Sequence, residues 1–238
     1  FSEEYVDTPA TKKRGFIVPV TKEAIFFDRT GMVLRRAGEI AKWLRVNKEK
    51  RILDAVLGVT NTYRRNGVAS NTYLTAAPYI NTKTSNALVD WTDIEGAALL
   101  FEDMTDPNTG EPISPMGDTV LVPGALAMTA KRIVSATEVR FGDGASSTSQ
   151  TISKNPIDGN LRVLSNQYVK SRSGSSTTWW LGSPRKAFAY IENHPIAVVQ
   201  APPNSEAEFV ADIVSRFKVS ERGAVGVLEP RYMVKSTA

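Results

Sequence analysis

Trp179 and Trp180 stand side by side between a Ser/Thr-rich loop and Leu181-Gly182, and two adjacent indoles can stack nucleic-acid bases or sugar rings. In that setting a strand start that buries one ring is the simpler use of the pair. Carboxylates occur in two close pairs, Asp103 with Asp106 and Glu206 with Glu208. A glycosidase needs two acids at the right separation, but paired acids are common on surfaces and nothing aromatic and concave is signalled around these. Asp106-x-Asn108-x-Gly110 has the start of a calcium loop, yet the ligand alternation then stops and Pro112 follows Glu111, so a β-turn is expected. The single histidine, His194, lies between Asn193 and Pro195 and is expected in a turn between strands. One imidazole cannot supply a two-His metal site, and the lack of cysteine excludes disulfides, thiolate nucleophiles and Cys-ligated zinc or iron–sulfur sites. Walker, dinucleotide-glycine, HExxH, GxSxG and Ser-x-x-Lys patterns are absent where they would be needed. The inventory predicts no catalytic residue, no metal and no cofactor.

Charge is more informative than chemistry. Between Arg29 and Arg65 ten basic residues, Arg35 and Arg36 among them, face only Glu39, Glu49 and Asp54. From Asp90 to Asp118 the sign reverses, with eight acids and no Lys or Arg. Solvated helix faces are the commonest fate of such runs; complementary subunit contacts, with the basic section able to lie near nucleic acid, are the sharper reading. Lys12-Lys13-Arg14 adds a short basic run near the front. These five residues, Lys12, Lys13, Arg14, Arg35 and Arg36, are the candidates for an assembly or DNA-facing role.

The elements that must position them follow from periodicity. Residues 12–20 alternate as a strand, with Phe16, Val18 and Val20 on one face and Ile17 and Pro19 on the other. Pro19 cannot donate a ladder hydrogen bond, so this is an edge strand or an arm that buries a face on a neighbour. Asp28 or Thr30 can cap a helix to about Val46 with Val33, Ala37, Ile40, Ala41 and Leu44 on one stripe. Asn47 then reads as a fresh cap for a second helix whose stripe of Ile52, Leu53, Val56 and Leu57 stops at Gly58, giving two helices meeting at a bend. Thr92-Asp93-Ile94-Glu95 has capping-box spacing and opens a helix to about Asp103 that buries Ile94, Ala97, Ala98 and Phe101. Val120–Val122 is a buried strand, a helix runs from Ala125 to about Val134, and Leu161–Leu164 is a strand. Loops are expected at Gly142-Asp143-Gly144 and the residues after it and from Ser171 to Thr178, with a corner at Pro202-Pro203. Phe209–Val219 fits both periods; its β-branched and aromatic residues favour a strand, with Gly223–Lys235 as the antiparallel partner. Irregular interleaving of strands and helices makes the class α+β.

At 238 residues and 42% hydrophobic the chain can build one elaborated domain or two small ones. No apolar run approaches membrane-spanning length and no basic-then-apolar leader stands at the front, so no insertion in a bilayer is expected. A start at Phe1 rather than methionine fits either proteolytic maturation or a sequence limited to its ordered part.

Four phrases in order, VPVTKEAIFFDRTG, ILDAVLGVTNTYRRNG, LVPGALAMTAKRI and the block from Trp179 to Ser236, resemble the major capsid proteins of Mu-like and related tailed phages. The resemblance spans nearly the whole chain. It implies the Hong Kong 97-type fold: an N-terminal arm and extended loop at residues 1–28, a peripheral domain with a spine helix at 29–86, an axial domain at 87–200, and returning peripheral strands at 201–238. It also implies self-assembly into pentamers and hexamers of an icosahedral head around double-stranded DNA, a virion location and assembly in the host bacterial cytoplasm. Portal, scaffold or protease, and decoration proteins are the further partners it implies. Some relatives carry Lys–Asn isopeptide crosslinks; Lys12, Lys13 and Lys22 lie in the corresponding region, but no pattern identifies an Asn, so the crosslink is not transferred. A shell of the encapsulin type around a cargo enzyme is the alternative within the fold. A carbohydrate- or nucleic-acid-binding module using Trp179, Trp180 and the paired acids is the alternative outside it.

Overall fold

A computed structural model describes residues 5–28, 31–106, 109–113, 115–142, 150–157, 161–201 and 210–238. In chain order the first elements are strand β1 (Lys12–Thr21), the short helix α1 (Lys22–Phe26) and the long helix α2 (Met32–Val56). Short strands β2 (Arg64–Arg65), β3 (Val68–Ala69) and β4 (Thr82–Lys83) precede helix α3 (Trp91–Glu102), β5 (Thr119–Val122) and α4 (Ala127–Ser135). Then come β6 (Glu138–Gly142), β7 (Gln150–Lys154), β8 (Arg162–Ser165), α5 (Gln167–Ser173), β9 (Trp179–Gly182) and α6 (Pro184–Ala187). Two long strands, β10 (Phe188–Gln200) and β11 (Ile213–Val227), and the short β12 (Met233–Ser236) complete the chain. The class is α+β, as the interleaving of periods predicts.

The chain divides into two compact units, one of Phe1–Asp7, Leu53–Ala189 and Val227–Ala238, the other of Thr8–Ile52 and Tyr190–Gly226. Neither unit is one continuous stretch, because β10 and β11 join β1 in one sheet, whereas β12 pairs with β9 in another.

The larger unit is built on a mixed sheet in the order β4-β12-β9-β5-β8. Val120, Leu181 and Val234 stand opposite one another across β5, β9 and β12 and share a face with Val122 and Trp179. That face packs in one core with Ile94, Ala97 and Phe101 of α3 and Ala130, Ile133 and Val134 of α4. Leu121 and Trp180 face the other way, and every residue of β5 and β9 is buried. Strands covered on both faces read as continuous apolar runs, which is why Thr-Val-Leu-Val and Trp-Trp-Leu-Gly do not alternate. Asn81, fully buried, donates to the carbonyls of Thr72, Pro230 and Met233 at 2.9, 3.1 and 3.1 Å, tying an irregular stretch to the start of β12.

The smaller unit holds a three-stranded sheet in the order β1-β11-β10. β1 lies at an edge, where the missing N–H of Pro19 costs no ladder bond. Residues Met32–Ile52 of α2 belong to this unit, and Val20, Leu44 and Val219 are its most deeply buried apolar side chains among those described.

Several local expectations change. α2 is one continuous helix of 25 residues, about 37 Å long, rather than two. Asn47 lies inside it and accepts from Arg51 Nε one turn on at 3.0 Å, so its side chain serves the helix interior rather than a cap. Of the first stripe, the Val33 and Ala37 side chains and the cap at Thr30 lie outside the described residues. The box on α3 sits two residues earlier than expected. Asp90 is the N-cap and Asp93 the reciprocal partner, accepting from Asp90 N at 2.9 Å, while Thr92 donates to Asp90. A carboxylate at both positions accepts backbone donors more strongly than the Thr hydroxyl. Ala98 is exposed instead of buried. Ser171–Ser173 finish α5, which stops at Gly174 with φ 72°, so the loop begins later than expected.

The turn expected at His194-Pro195 is also overturned: both lie inside β10, and Pro195 is accommodated because β10 is the other edge of its sheet. β11 does contain the strand expected near Ile213–Val219, but Gly223–Val227 continue it rather than returning beside it. Its described antiparallel partner is β1, from Lys12 opposite Gly223 to Val20 opposite Ser215. Residues 143–149, the Pro202-Pro203 corner and Phe209 lie outside the described residues. No helix among the described residues is long and apolar enough to cross a membrane.

Candidate assembly surface

The register of β1 against β11 places Lys13 opposite Arg222, Ile17 opposite Lys218 and Pro19 opposite Arg216. Residues opposite one another share a sheet face and successive residues alternate, so Lys13, Arg216, Lys218 and Arg222 lie on one face. Lys13, Lys218 and Arg222 are exposed and Arg216 is half-buried; Arg222 Nε also donates to Thr11 Oγ1 at 3.2 Å. The opposite face carries Arg14, Phe16, Val18 and Val20 with Phe217, Val219 and Glu221. It is the packed face: Val20 is 1% exposed, and Val219 and Glu221 are 0% exposed.

Helix α2 supplies the ionic anchors of that face. Arg51 forms an ion pair with Glu221 Oε1, while Glu221 Oε2, wholly buried, has no hydrogen-bond partner among the described residues. Lys48 Nζ lies 2.7 Å from Glu192 Oε1 and 4.1 Å from the centroid of the Tyr190 ring. The compact ammonium thus uses a carboxylate and an aromatic face together. Within the larger unit the C-terminal end of α2 is held separately: Arg172 donates from Nε to Asp54 Oδ1 at 2.5 Å and from Nη2 to Oδ2, and the Asp54 carbonyl accepts from the Val59 and Thr60 N–H groups.

The five basic candidates divide. Lys12 and Lys13 are exposed on successive, opposite-facing positions, and Arg14 is half-buried on the packed side, with Nη1 3.5 Å from the Lys12 carbonyl. Arg35 is exposed on α2, and the side chain of Arg36 lies outside the described residues. The cluster that the sheet assembles is Lys13 with Arg216, Lys218 and Arg222. The last three escaped the sequence reading, although their even spacing within a strand was the signal.

Among the described residues the other chemical candidates do not form a site. Trp179 and Trp180 are both 0% exposed, which corrects the expectation of one buried ring and removes the stacking platform. Trp179 Nε1 donates to the Asn86 carbonyl at 2.9 Å. His194 is an exposed strand residue, and Asp103 is exposed on the cap of α3. Gly110 N–H closes a turn onto the Asp106 carbonyl at 2.8 Å; Asn108, Glu206 and Glu208 lie outside the described residues. Among the described residues no group of three or more His, Cys, Asp or Glu could hold a metal ion.

Comparison with known proteins supplies the context. The fold is similar to the capsid subunit of cyanophage Pam1, at TM-score 0.58 and 12% identity over 96% of this chain and 74% of that one. The capsid of cyanophage P-SCSP1u matches at TM-score 0.53 and 11% identity over 98% and 73%. The SrpI encapsulin of Synechococcus elongatus PCC 7942 matches at 0.50 and 11% over 98% and 81%. No curated protein sequence matches the chain. A family profile described as phage capsid protein matches residues 4–236, nearly the whole chain. With its Hong Kong 97-type fold and a family profile matched over nearly its whole length, the chain belongs to the phage capsid protein family as a structural shell subunit.

Proposed function

We propose that this subunit self-assembles into pentamers and hexamers of an icosahedral phage head that encloses double-stranded DNA, acting as a non-enzymatic structural protein. Capsid family membership implies shell oligomers. The observation that carries the DNA reading is the row of Lys13, Arg216, Lys218 and Arg222 on one sheet face. Cations at alternate strand positions suit a phosphate backbone, which is met by charge and without sequence readout. Exposure of Phe16 and Ile17, at 56% and 64% on opposite faces of β1, fits a strand that completes its burial on a neighbouring copy.

In this reading Lys12, Lys13, Arg14, Arg35 and Arg36 serve assembly or face DNA, and reversing Arg35 and Arg36 to Glu disturbs particles more than subunit folding. Residues 1–28 act as the arm, 29–86 and 201–238 as the peripheral domain and 87–200 as the axial domain. Assembly takes place in the host cytoplasm, with portal, scaffold or protease, and decoration proteins as partners.

The test is a triple variant, Arg216→Ser, Lys218→Ser and Arg222→Ser. Particle yield by electron microscopy should be retained, while the slope of log affinity for duplex DNA against log salt falls by about 2–3. An unchanged slope removes the DNA-facing role, and the absence of capsomers or shells from wild-type protein removes the assembly reading. The encapsulin likeness supports a second reading at the level of fold alone; particles that package an enzyme and no DNA would select it.

A further inference from the structure

Strands β2 and β3 form a hairpin that turns on two residues: Arg65 stands opposite Val68, and Asn66 and Gly67 between them take φ 50° and 78°. Both angles lie in the left-handed region, which a type I′ turn demands and which Asn and Gly adopt most readily. Asn66 is the only asparagine in the chain followed by glycine, and both residues are exposed. The pair carries a chemistry of its own. The main-chain nitrogen after an asparagine can attack its side-chain carbonyl carbon, and glycine, with no Cβ, leaves that approach unshielded.

Residues 5–7 clamp the site. Asn66 N–H donates to the Tyr5 carbonyl at 3.0 Å, and Tyr5 N–H donates to Asn66 Oδ1 at 3.1 Å. Val6 bridges Arg65, and Asp7 N–H donates to the Arg64 carbonyl at 3.0 Å, so the segment runs antiparallel beside β2. Attack requires the Asn66 carboxamide to swing over its own following peptide, and a carboxamide tied through Oδ1 to Tyr5 is held from that motion. The clamp itself is light. Tyr5 is 57% exposed, and the Arg64–Asp7 contact, 3.9 Å between exposed side chains, adds little. A segment held by a few exposed backbone bonds opens and recloses readily, and the reaction proceeds from the open form.

We propose that Asn66 is a site of spontaneous deamidation, gated by the docking of residues 5–7, and that its isoaspartyl product releases that segment irreversibly. Gly67 N bonds to Asn66 Cγ and gives its proton to solvent. The Cγ–Nδ2 bond breaks, the departing nitrogen takes a proton from solvent and leaves as ammonia, and a cyclic imide is closed. Water then opens the imide at one of its two carbonyls. Overall one water enters, one ammonia leaves and nothing is oxidised or reduced. Opening at the former side-chain carbonyl leaves an ordinary aspartate, whose carboxylate still accepts from Tyr5 N–H. Opening at the former main-chain carbonyl routes the backbone through the side chain. The turn then has one more backbone atom than the Arg65–Val68 pairing accommodates, and the carbonyl that Tyr5 met has become part of the chain.

The full chain is incubated at mildly alkaline pH and digested, and the peptide containing Asn66 is followed by mass spectrometry and by isoaspartyl methyltransferase labelling. Tyr5→Pro removes the donor to Oδ1, and Asp7→Pro removes the donor to Arg64. Each should raise the rate of conversion at Asn66 about fivefold or more, toward that of the wild-type chain in urea, with unchanged circular dichroism. In wild-type protein separated by ion exchange, the isoaspartyl fraction should exchange amide hydrogens at residues 5–7 faster than the unmodified fraction. A wild-type rate equal to or above that of both Pro variants overturns the gate, and an Asn66 that stays unconverted in all three proteins overturns the site. Equal exchange in the two fractions overturns the release.

Discussion

The Arg51–Glu221 pair ties α2 to β11, and its two ends differ in exposure: the Arg51 side chain is 17% exposed and that of Glu221 0%. Arg51→Met therefore leaves the buried Glu221 carboxyl inside the small unit without its ion-pair partner, whereas Glu221→Met leaves a guanidinium that can still turn toward solvent and keep Asn47. Removing one partner so that a buried charge is left uncompensated costs about 3–5 kcal/mol, while replacing both partners with apolar residues of similar volume is about neutral or stabilising. At about 1.4 kcal/mol per decade, Arg51→Met should reduce protection of β11 amides by about two to three and a half orders of magnitude. Glu221→Met should cost less, and Arg51→Met/Glu221→Met should recover most of the loss. Hydrogen-exchange mass spectrometry on peptides from α2 and β11, with all variants at one subunit concentration, measures this directly. A single Arg51→Met effect below about 1 kcal/mol, or a double variant less stable than that single one, would refute the assignment of Glu221 as a buried charge held by Arg51.

The two tryptophans should part company under conservative substitution. Trp179→Phe loses the bond to the Asn86 carbonyl as well as volume, whereas Trp180 Nε1 has no hydrogen-bond partner among the described residues. In urea unfolding Trp179→Phe should be the more destabilising by about 1 kcal/mol or more, and equal midpoints would contradict that accounting. Alkaline pH should act through tyrosines. Burial raises the phenols of Tyr63, Tyr73 and Tyr79 above their ordinary value of 10.0, so the folded chain keeps protons that the unfolded chain loses. Their contribution is intact below about pH 10 and is lost as pH rises through the folded values. Lys235, lowered by burial from 10.5, has the opposite slope: the unfolded chain binds its proton more readily, so its contribution improves as pH rises toward 10.5. With three phenols against one amine, stability of the larger unit should fall above about pH 10, and tyrosinate absorbance from these three should appear only as it unfolds. Their titration while the near-ultraviolet dichroism stays native would contradict the burial.

The sequence by itself determined the family, through four ordered phrases, and the class, through irregular alternation of periods. It also determined the elements whose signals are local: the Pro19 edge strand, the buried Val120–Val122 strand and the stop at Gly58. Such features depend on a ring that removes a donor, a run of apolar side chains or a glycine with φ 73°. Partners across long separations were not legible, because strand pairing depends on faces that many segments could satisfy equally. Gly223–Val227 therefore read as a return strand but extends β11, and His194-Pro195 read as a turn but lies in an edge strand. Asn47 read as a cap because a cap and an interior i to i+4 acceptor use the same side chain. The basic row was half legible: the even spacing of Arg216, Lys218 and Arg222 is in the sequence, but Lys13 joins them only when β1 pairs with β11. Tertiary structure alone decided that both indoles are buried and that Glu221 is sealed behind Arg51, since burial is a property of what covers a residue and not of the residue itself.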